Sequence, residues 1–560
     1  MEGLPEWRQL PLAEQVAQMI VVRASGHLFD QQIEYPQWEP PSRVLQRWVQ
    51  ELGVGGVLLL GGSAAEVGLR TQQLQEWAIV PLLICADIEE GVGQRFAGAT
   101  WFPPPMALGA ISRADPAQAE AYAEQMGATI AQESLAIGIN WLLAPVVDVN
   151  NNPLNPVINV RALGETPQQV SQLATAFLRG TNPYPVLTTA KHFPGHGDTA
   201  IDSHLELPVI PHSELRLQAV EFPPFEAAMA AGVDAVMTAH LQIPLLDTEH
   251  PATLSAAIVS NLLRKDLAFE GLIVTDALVM GAITQRYGAN EAPVLAIEAG
   301  ADIVLMPVDP EGAIQAICQA VETGRITLEQ IHASLERIWY AKQKVCSVTP
   351  TGNTPHAWEQ IPPPALEFKS LTTQLAQPES IATATKILQA AMRVYQPVVG
   401  SRLRATAAMP CRNLVVVDDM LNSPFLEKHS PAIVLPRKLG YALQWVDRHT
   451  GGTPGDSGAV APQPTLLQLF IRGNPFRGSG LTQTAHDWLR YLIETAQLQA
   501  LVLYGSPYLL EAWLSELPTD VPYVFTYGQM DAAQQLALDA LFHPTADLIA
   551  TVGDDRRFTD

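Results

Sequence analysis

The sequence predicts an α/β protein: a (β/α)8 TIM-type barrel over residues 1–345, a linker over 346–380 and a smaller α/β (αβα) sandwich over 381–560. Three observations predict it. Short β-branched runs alternate with longer stretches of helical spacing through the first part. Several of those runs end on a charged residue, as barrel strands do when they deliver side chains to the C-terminal rim. Past the breaker-rich TPTGNTPH and QIPPP, the alternation resumes with fewer strands.

In order, the strand candidates of the first part are residues 19–24, 54–61, 82–87, 140–148, 186–191, 235–240, 272–276 and 302–306. Each is a β-branched run closing on polar or glycine residues. Helical patterns lie between them, for example over 117–137, 167–179, 213–230 and 255–269. Asp87 closes the third run, Asp148 the fourth, Lys191 the fifth, His240 the sixth and Asp276 the seventh. One polar strand end means little, but five on one sheet argue for a shared site. In the second part the strand candidates are 414–418, 433–435, 466–471, 501–504 and 523–527, with helices near 485–499 and 532–541. The stretch TGGTPGDSGAVAPQP, 450–464, reads as a mobile loop, and no internal repeat is visible.

Composition narrows the function classes. With 33 basic against 57 acidic residues the chain carries a net charge of −24, which repels phosphate and excludes a general nucleic-acid or anionic-membrane binder. Cys85, Cys318, Cys346 and Cys411 are isolated, so there is neither a disulfide scaffold nor a zinc ribbon. The N-terminus lacks the basic start and apolar run of a signal peptide, and no apolar stretch is long enough to span a membrane. The expectation is a cytoplasmic enzyme or binding protein with no membrane span.

The densest polar cluster is KHFPGHGDTAIDSHLELP, from Lys191 to Pro208. It holds Lys191, His192, His196, Asp198, Asp202 and His204. His192 and His196 have the i, i+4 spacing of a helical zinc pair, but Pro194, Gly195 and Gly197 oppose a helix there, so no metal is assigned. No cofactor is required.

This stretch closely resembles the signature of glycoside hydrolase family 3, in its bacterial β-N-acetylglucosaminidase branch. ADIEEGVGQRF (86–96), APVVDVNNNPLNPVINVRALGETP (144–167), VMTAH (236–240), PATLS (251–255), GLIVTDALVMGAI (271–283) and AGADIVLMP (299–307) follow in the family's order. The resemblance covers about residues 10–345. It implies a barrel plus a sandwich and retaining hydrolysis through a covalent glycosyl-enzyme. Asp276 of VTDAL matches the nucleophile. Such an enzyme needs a carboxylate close to the anomeric carbon, and a strand end positions one rigidly. His204 of Asp202-Ser203-His204 matches the acid/base that replaces the usual second carboxylate. Asp202, two residues away, can fix its tautomer and stabilise the protonated ring. Asp87, Arg95, Arg161, Lys191 and His192 match the sugar-binding set, with hydroxyl acceptors and donors to match. Glu90 stands where relatives often carry a second glycine.

The implied activity is removal of terminal β-linked N-acetylglucosamine from a small carbohydrate substrate, with peptidoglycan-derived fragments as its source. Two other readings use the same residues: a phosphorylase of β-N-acetylglucosaminides or β-glucosides, with phosphate in place of water, and a non-catalytic sugar-binding protein. A Schiff-base lyase built on Lys191 is a fourth. The oligomeric state is not legible.

Overall fold

The structure is a computed structural model that describes residues 4–200, 207–346, 371, 373–397, 411–450, 463–472 and 480–543. The chain divides into two compact units, residues 1–383 and 384–560.

In the first unit, β1 (Ile20–Ser25), β2 (Gly56–Leu60), β3 (Leu83–Ala86) and β4 (Trp141–Leu142) form one parallel sheet in the order β4-β3-β2-β1-β8, and β5 (Thr189–Phe193), β6 (Ala235–Thr238) and β7 (Leu272–Thr275) form a second. β8 (Val304–Leu305) pairs with β1. Single bridges join the two sheets at both seams, Trp141 to Leu187 and Val274 to Ile303, so eight parallel strands close a barrel. Most of these strands are buried along their whole length, which is why they read as unbroken apolar runs rather than alternating ones.

The helices between strands start where local chemistry dictates. Asp115, Thr166 and Asp309 each accept a backbone N–H from the first turn, and Pro116, Pro167 and Pro310 follow at a position that needs no donor. Several expected elements are changed: the 302–306 strand shrinks to Val304–Leu305, and the 255–269 helix is a π-helix over Ala257–Asp266. Of residues 140–148 only Trp141–Leu142 is strand, because Pro145 has no N–H for the ladder; Val147 N regains a bond to Lys191 O at 2.9 Å. The 213–230 segment is helical but contains a wider π turn over Leu217–Glu221.

In the second unit, β9 (Arg393–Tyr395), β10 (Cys411–Val416), β11 (Tyr441–Val446), β12 (Thr465–Ile471), β13 (Leu498–Gly505) and β14 (Tyr523–Thr526) form one sheet, ordered β11-β10-β12-β13-β14-β9. All neighbours are parallel except β9, an antiparallel edge. The expected strand 433–435 is wrong: these residues lie inside the helix Pro431–Lys438. A three-residue apolar run is too short for its period to show, and Pro431 just ahead of it was the available helix-start signal. The helix expected over 485–499 runs instead over Gly480–Glu494, and Leu498 opens β13. Most of the expected linker, and most of the 450–464 loop, lie outside the described residues.

Candidate active site

The segment leaving β3 carries two carboxylates at i and i+2, on one side of an extended chain. Asp87 Oδ1 accepts from Lys191 Nζ at 2.8 Å, and Glu89 Oε1 accepts from the same ammonium at 2.6 Å. Glu89 also takes a two-pronged bond from Arg161, Nε to Oε2 at 2.9 Å and Nη2 to Oε1 at 2.8 Å. Lys191 is 1% exposed and Glu89 4%, whereas Asp87 is 31% exposed. The buried pair therefore fixes the floor, and the Asp87 carboxylate stays partly exposed beside it.

The electrostatics follow. Burial would raise the Glu89 carboxyl, but Arg161 and Lys191 overcome it and hold it well below the usual carboxylate range. Burial opposes the charge on Lys191, yet Asp87 and Glu89 raise its pKa above that of a free lysine. An amine so firmly protonated is a poor nucleophile, which argues against the Schiff-base reading. Arg161 likewise stays charged, with Glu89 outweighing the cost of burial.

A second group orients the histidines. Asp148 is fully buried. It accepts from His192 Nδ1 at 2.7 Å and from the backbone N–H of His196 at 2.7 Å. A carboxylate on Nδ1 keeps that proton in place and fixes the orientation of the ring. Asn155 Nδ2 donates to the carbonyls of His196 and Gly197 at 2.8 and 2.9 Å, tying the loop after β4 to the loop after β5. The approach there demands glycine: a Cβ on Gly197 would lie 1.7 Å from Val149 O. Burial lowers the pKa of His196 to about 4, so it is neutral at pH 7 and unsuited to act as a general acid.

Asp276 follows β7 directly. Its N–H donates to Thr238 O at 3.1 Å, and its Oδ1 accepts from Ala277 N at 2.7 Å. His240 supports the next peptide: its Nε2 lies 3.1 Å from Ala277 O and its Nδ1 2.8 Å from Thr253 Oγ1. A carbonyl can only accept, so Nε2 carries a proton.

Of the residues expected at the site, Asp87, Arg161 and Lys191 thus form one network, with His192 held by Asp148 next to Lys191 in sequence and Asp276 at its own strand end. Arg95 is exposed, and its Nε donates to the backbone carbonyl of Asp87 at 3.0 Å. Asp202 and His204 lie outside the described residues. Glu90 is accommodated: the left-handed conformation falls on Gly91 (φ +103°), and the buried Glu90 carboxylate accepts from Trp101 Nε1 at 3.1 Å. Glu89 was missed as a site residue, as were the supporting roles of Asp148 and His240. The i, i+2 spacing of Asp87 and Glu89 was the available signal.

The model of the glycosyl hydrolase family 3 N-terminal domain matches residues 11–341, and that of the bacterial glycosyl hydrolase family 3 C-terminal domain matches residues 405–543. The chain is 35% identical over 337 residues to the β-hexosaminidase A of Pseudoalteromonas piscicida, a match covering 55% of this chain and 56% of that protein. It is 36% identical over 263 residues to the β-hexosaminidase of Stenotrophomonas maltophilia (strain R551-3), covering 46% of this chain and 78% of that protein. Among solved structures, a glycoside hydrolase family 3 β-N-acetylglucosaminidase from Paenibacillus sp. str. FPU-7 is similar at 29% identity and a TM-score of 0.74, over 96% of this chain and 97% of that one.

Proposed function

The chain belongs to glycoside hydrolase family 3, and from that premise we propose that it is a retaining exo-β-N-acetylglucosaminidase. The observation that carries the reading is the pairing of Asp276, on its own strand end, with a separate carboxylate–cation network on Asp87, Glu89, Lys191 and Arg161. One carboxylate is needed for bond formation and a different set for holding hydroxyls, and the barrel supplies both.

In this reading Asp87 accepts from two ring hydroxyls, and Lys191, Arg161 and His192 line the same pocket. Arg95 stands at its exposed edge. Asp276 attacks the anomeric carbon as His204, oriented by Asp202, protonates the departing glycosidic oxygen. His204, now neutral, takes a proton from water, the resulting hydroxide displaces Asp276, and the sugar leaves with retained configuration. The Ala277 N–H donates to Asp276 Oδ1 and so fixes the orientation of the carboxylate. The β-hexosaminidase names of the relatives support N-acetylglucosamine as the glycone. Peptidoglycan fragments in the cytoplasm are the proposed source.

Turnover of an aryl β-N-acetylglucosaminide beside the matching aryl β-glucoside tests the proposal, with products analysed with and without phosphate. Free N-acetylglucosamine released in both buffers is expected. Sugar 1-phosphate would make the protein a phosphorylase, and no turnover of either glycoside would leave a sugar-binding protein.

A further inference from the structure

Glu133 lies in the last turn of the helix Pro116–Ala136 and is 2% exposed. Its surroundings disfavour a carboxylate twice over: it is buried, and the C-terminal end of a helix is the negative end. Uncharged donors hold it there. Its Oε2 accepts from Thr100 N at 2.8 Å, and its Oε1 accepts from Thr100 Oγ1 at 2.6 Å and from Ala376 N at 2.8 Å. Burial raises the carboxyl above its ordinary value, against the pull of the bonds from Thr100 and Ala376.

Thr100 belongs to the loop that carries Asp87 and Glu89. Its carbonyl accepts from Gly93 N at 2.8 Å, and Phe102 N donates to Glu90 O at 2.7 Å. The two arms of the loop touch too closely for side chains: a Cβ on Gly91 would lie 2.5 Å from Thr100 O, and one on Gly93 2.4 Å from Ala99 O. Arms locked together in this way move as one piece. Whatever fixes Thr100 therefore fixes the backbone that delivers Asp87 and Glu89 to Lys191.

The third donor comes from within the expected linker. The first unit extends to residue 383, and its late segment follows one stripe of the same helix. Ala376 meets Glu133, Ser380 Oγ lies 3.4 Å from Thr129 Oγ1, and Thr383 Oγ1 donates to Gln125 Oε1 at 3.3 Å. Gln125, Thr129 and Glu133 are spaced by four and share a face.

We propose that Glu133 is a positioning residue for the sugar site: it grips Thr100 and so sets the Asp87–Glu89 backbone, with the Ala376 N–H joining the late segment to that grip. The inference rests on the activity proposed above. The role needs a carboxylate. In a glutamine, whichever way the amide turns, its NH2 faces a backbone N–H, that of Thr100 or that of Ala376.

The test is calorimetric binding of N-acetylglucosamine to the full chain, below the melting transition of every variant, beside KM and kcat on an aryl β-N-acetylglucosaminide. Glu133→Gln should weaken binding by about tenfold, the scale of one hydrogen bond to a charged group, with KM raised to match and kcat changed less. Thr100→Val keeps the shape but loses the hydroxyl, and should weaken binding by about threefold. Thr100→Ser keeps the hydroxyl and should bind as wild type does. If Glu133→Gln does not fold, the two Thr100 variants decide the question. Lower melting temperatures with unchanged binding and KM would make Glu133 a purely structural residue and overturn the proposal, and so would a fall in kcat at unchanged binding. Wild-type protein that neither binds N-acetylglucosamine nor turns over the glycoside takes the activity reading down and this role with it. Wild-type protein that does both, beside variants that bind equally well, sinks the positioning role alone.

Discussion

Replacing Glu89 by Gln removes one negative charge from between two buried cations. In the native site Glu89 accepts from Lys191 at 2.6 Å and from Arg161 at 2.8 and 2.9 Å. Afterwards Lys191 keeps Asp87 at 2.8 Å, while Arg161 loses its carboxylate partner and, among the described residues, keeps the Val157 carbonyl at 3.0 Å. Breaking a buried ion pair from one side typically costs about 3–5 kcal/mol, because the partner charge stays buried. The glutamine oxygen still accepts one bond, so about 3 kcal/mol is expected. For a unit of this size roughly 2 °C of melting temperature accompanies each kcal/mol, giving a fall of about 6 °C. The assay is a thermal melt of the full chain, following the transition that N-acetylglucosamine raises, since a ligand stabilises the unit that binds it. The same variant should lose kcat/KM, because Asp87 is left, among the described residues, as the one carboxylate on Lys191 and is drawn away from the sugar. A shift below about 2 °C would refute the claim that Glu89 is the structural hub of the pocket. Native Glu89 also predicts acid sensitivity. Its folded pKa is depressed, so its stabilisation is complete above the ordinary value of 4.5 and is lost as pH falls through the folded pKa. Glu89→Gln should flatten that part of the pH–stability curve.

Asp276→Ala should abolish turnover, because it removes the proposed nucleophile; steady-state kinetics, with a parallel melt to verify that the variant is folded, checks this. His204→Ala should lose far more kcat/KM on a natural disaccharide than on an activated aryl glycoside, by about 10²–10⁴ where protonation limits, and azide should restore part of the aryl turnover. A uniform loss across leaving groups would move the acid/base elsewhere. His196 has a folded pKa of about 4 against 6.5, so the folded state binds fewer protons and is favoured above pH 6.5. That stabilisation, about 3 kcal/mol in all, is lost as pH falls from 6.5 to 4, and His196→Asn should shrink the fall measured by urea titration at the two ends.

What the sequence alone determined was local. Strands such as Leu272–Thr275 were legible because a strand buried on both faces must be an unbroken apolar run, and Asp276 was legible as the first polar residue after it. The helix start at Pro167 lies in the same category, since a cap and a proline act within one turn. Short or edge elements were not legible. The run at 433–435 carries too few residues for its period to separate helix from strand, and β9 draws its definition from pairing with β14. At the site, the residue types and order were readable, but not which charge holds which. Glu89 lies 72 residues from Arg161, and Lys191 lies 104 residues from Asp87. Only closure of the barrel brings these groups within 3 Å, and only burial makes that proximity energetically decisive. Arg23 shows the same division: in sequence it is a polar residue in a largely apolar strand, and the fold alone decides that the segment after β1 returns the buried Glu39 to meet it at 2.9 and 2.7 Å.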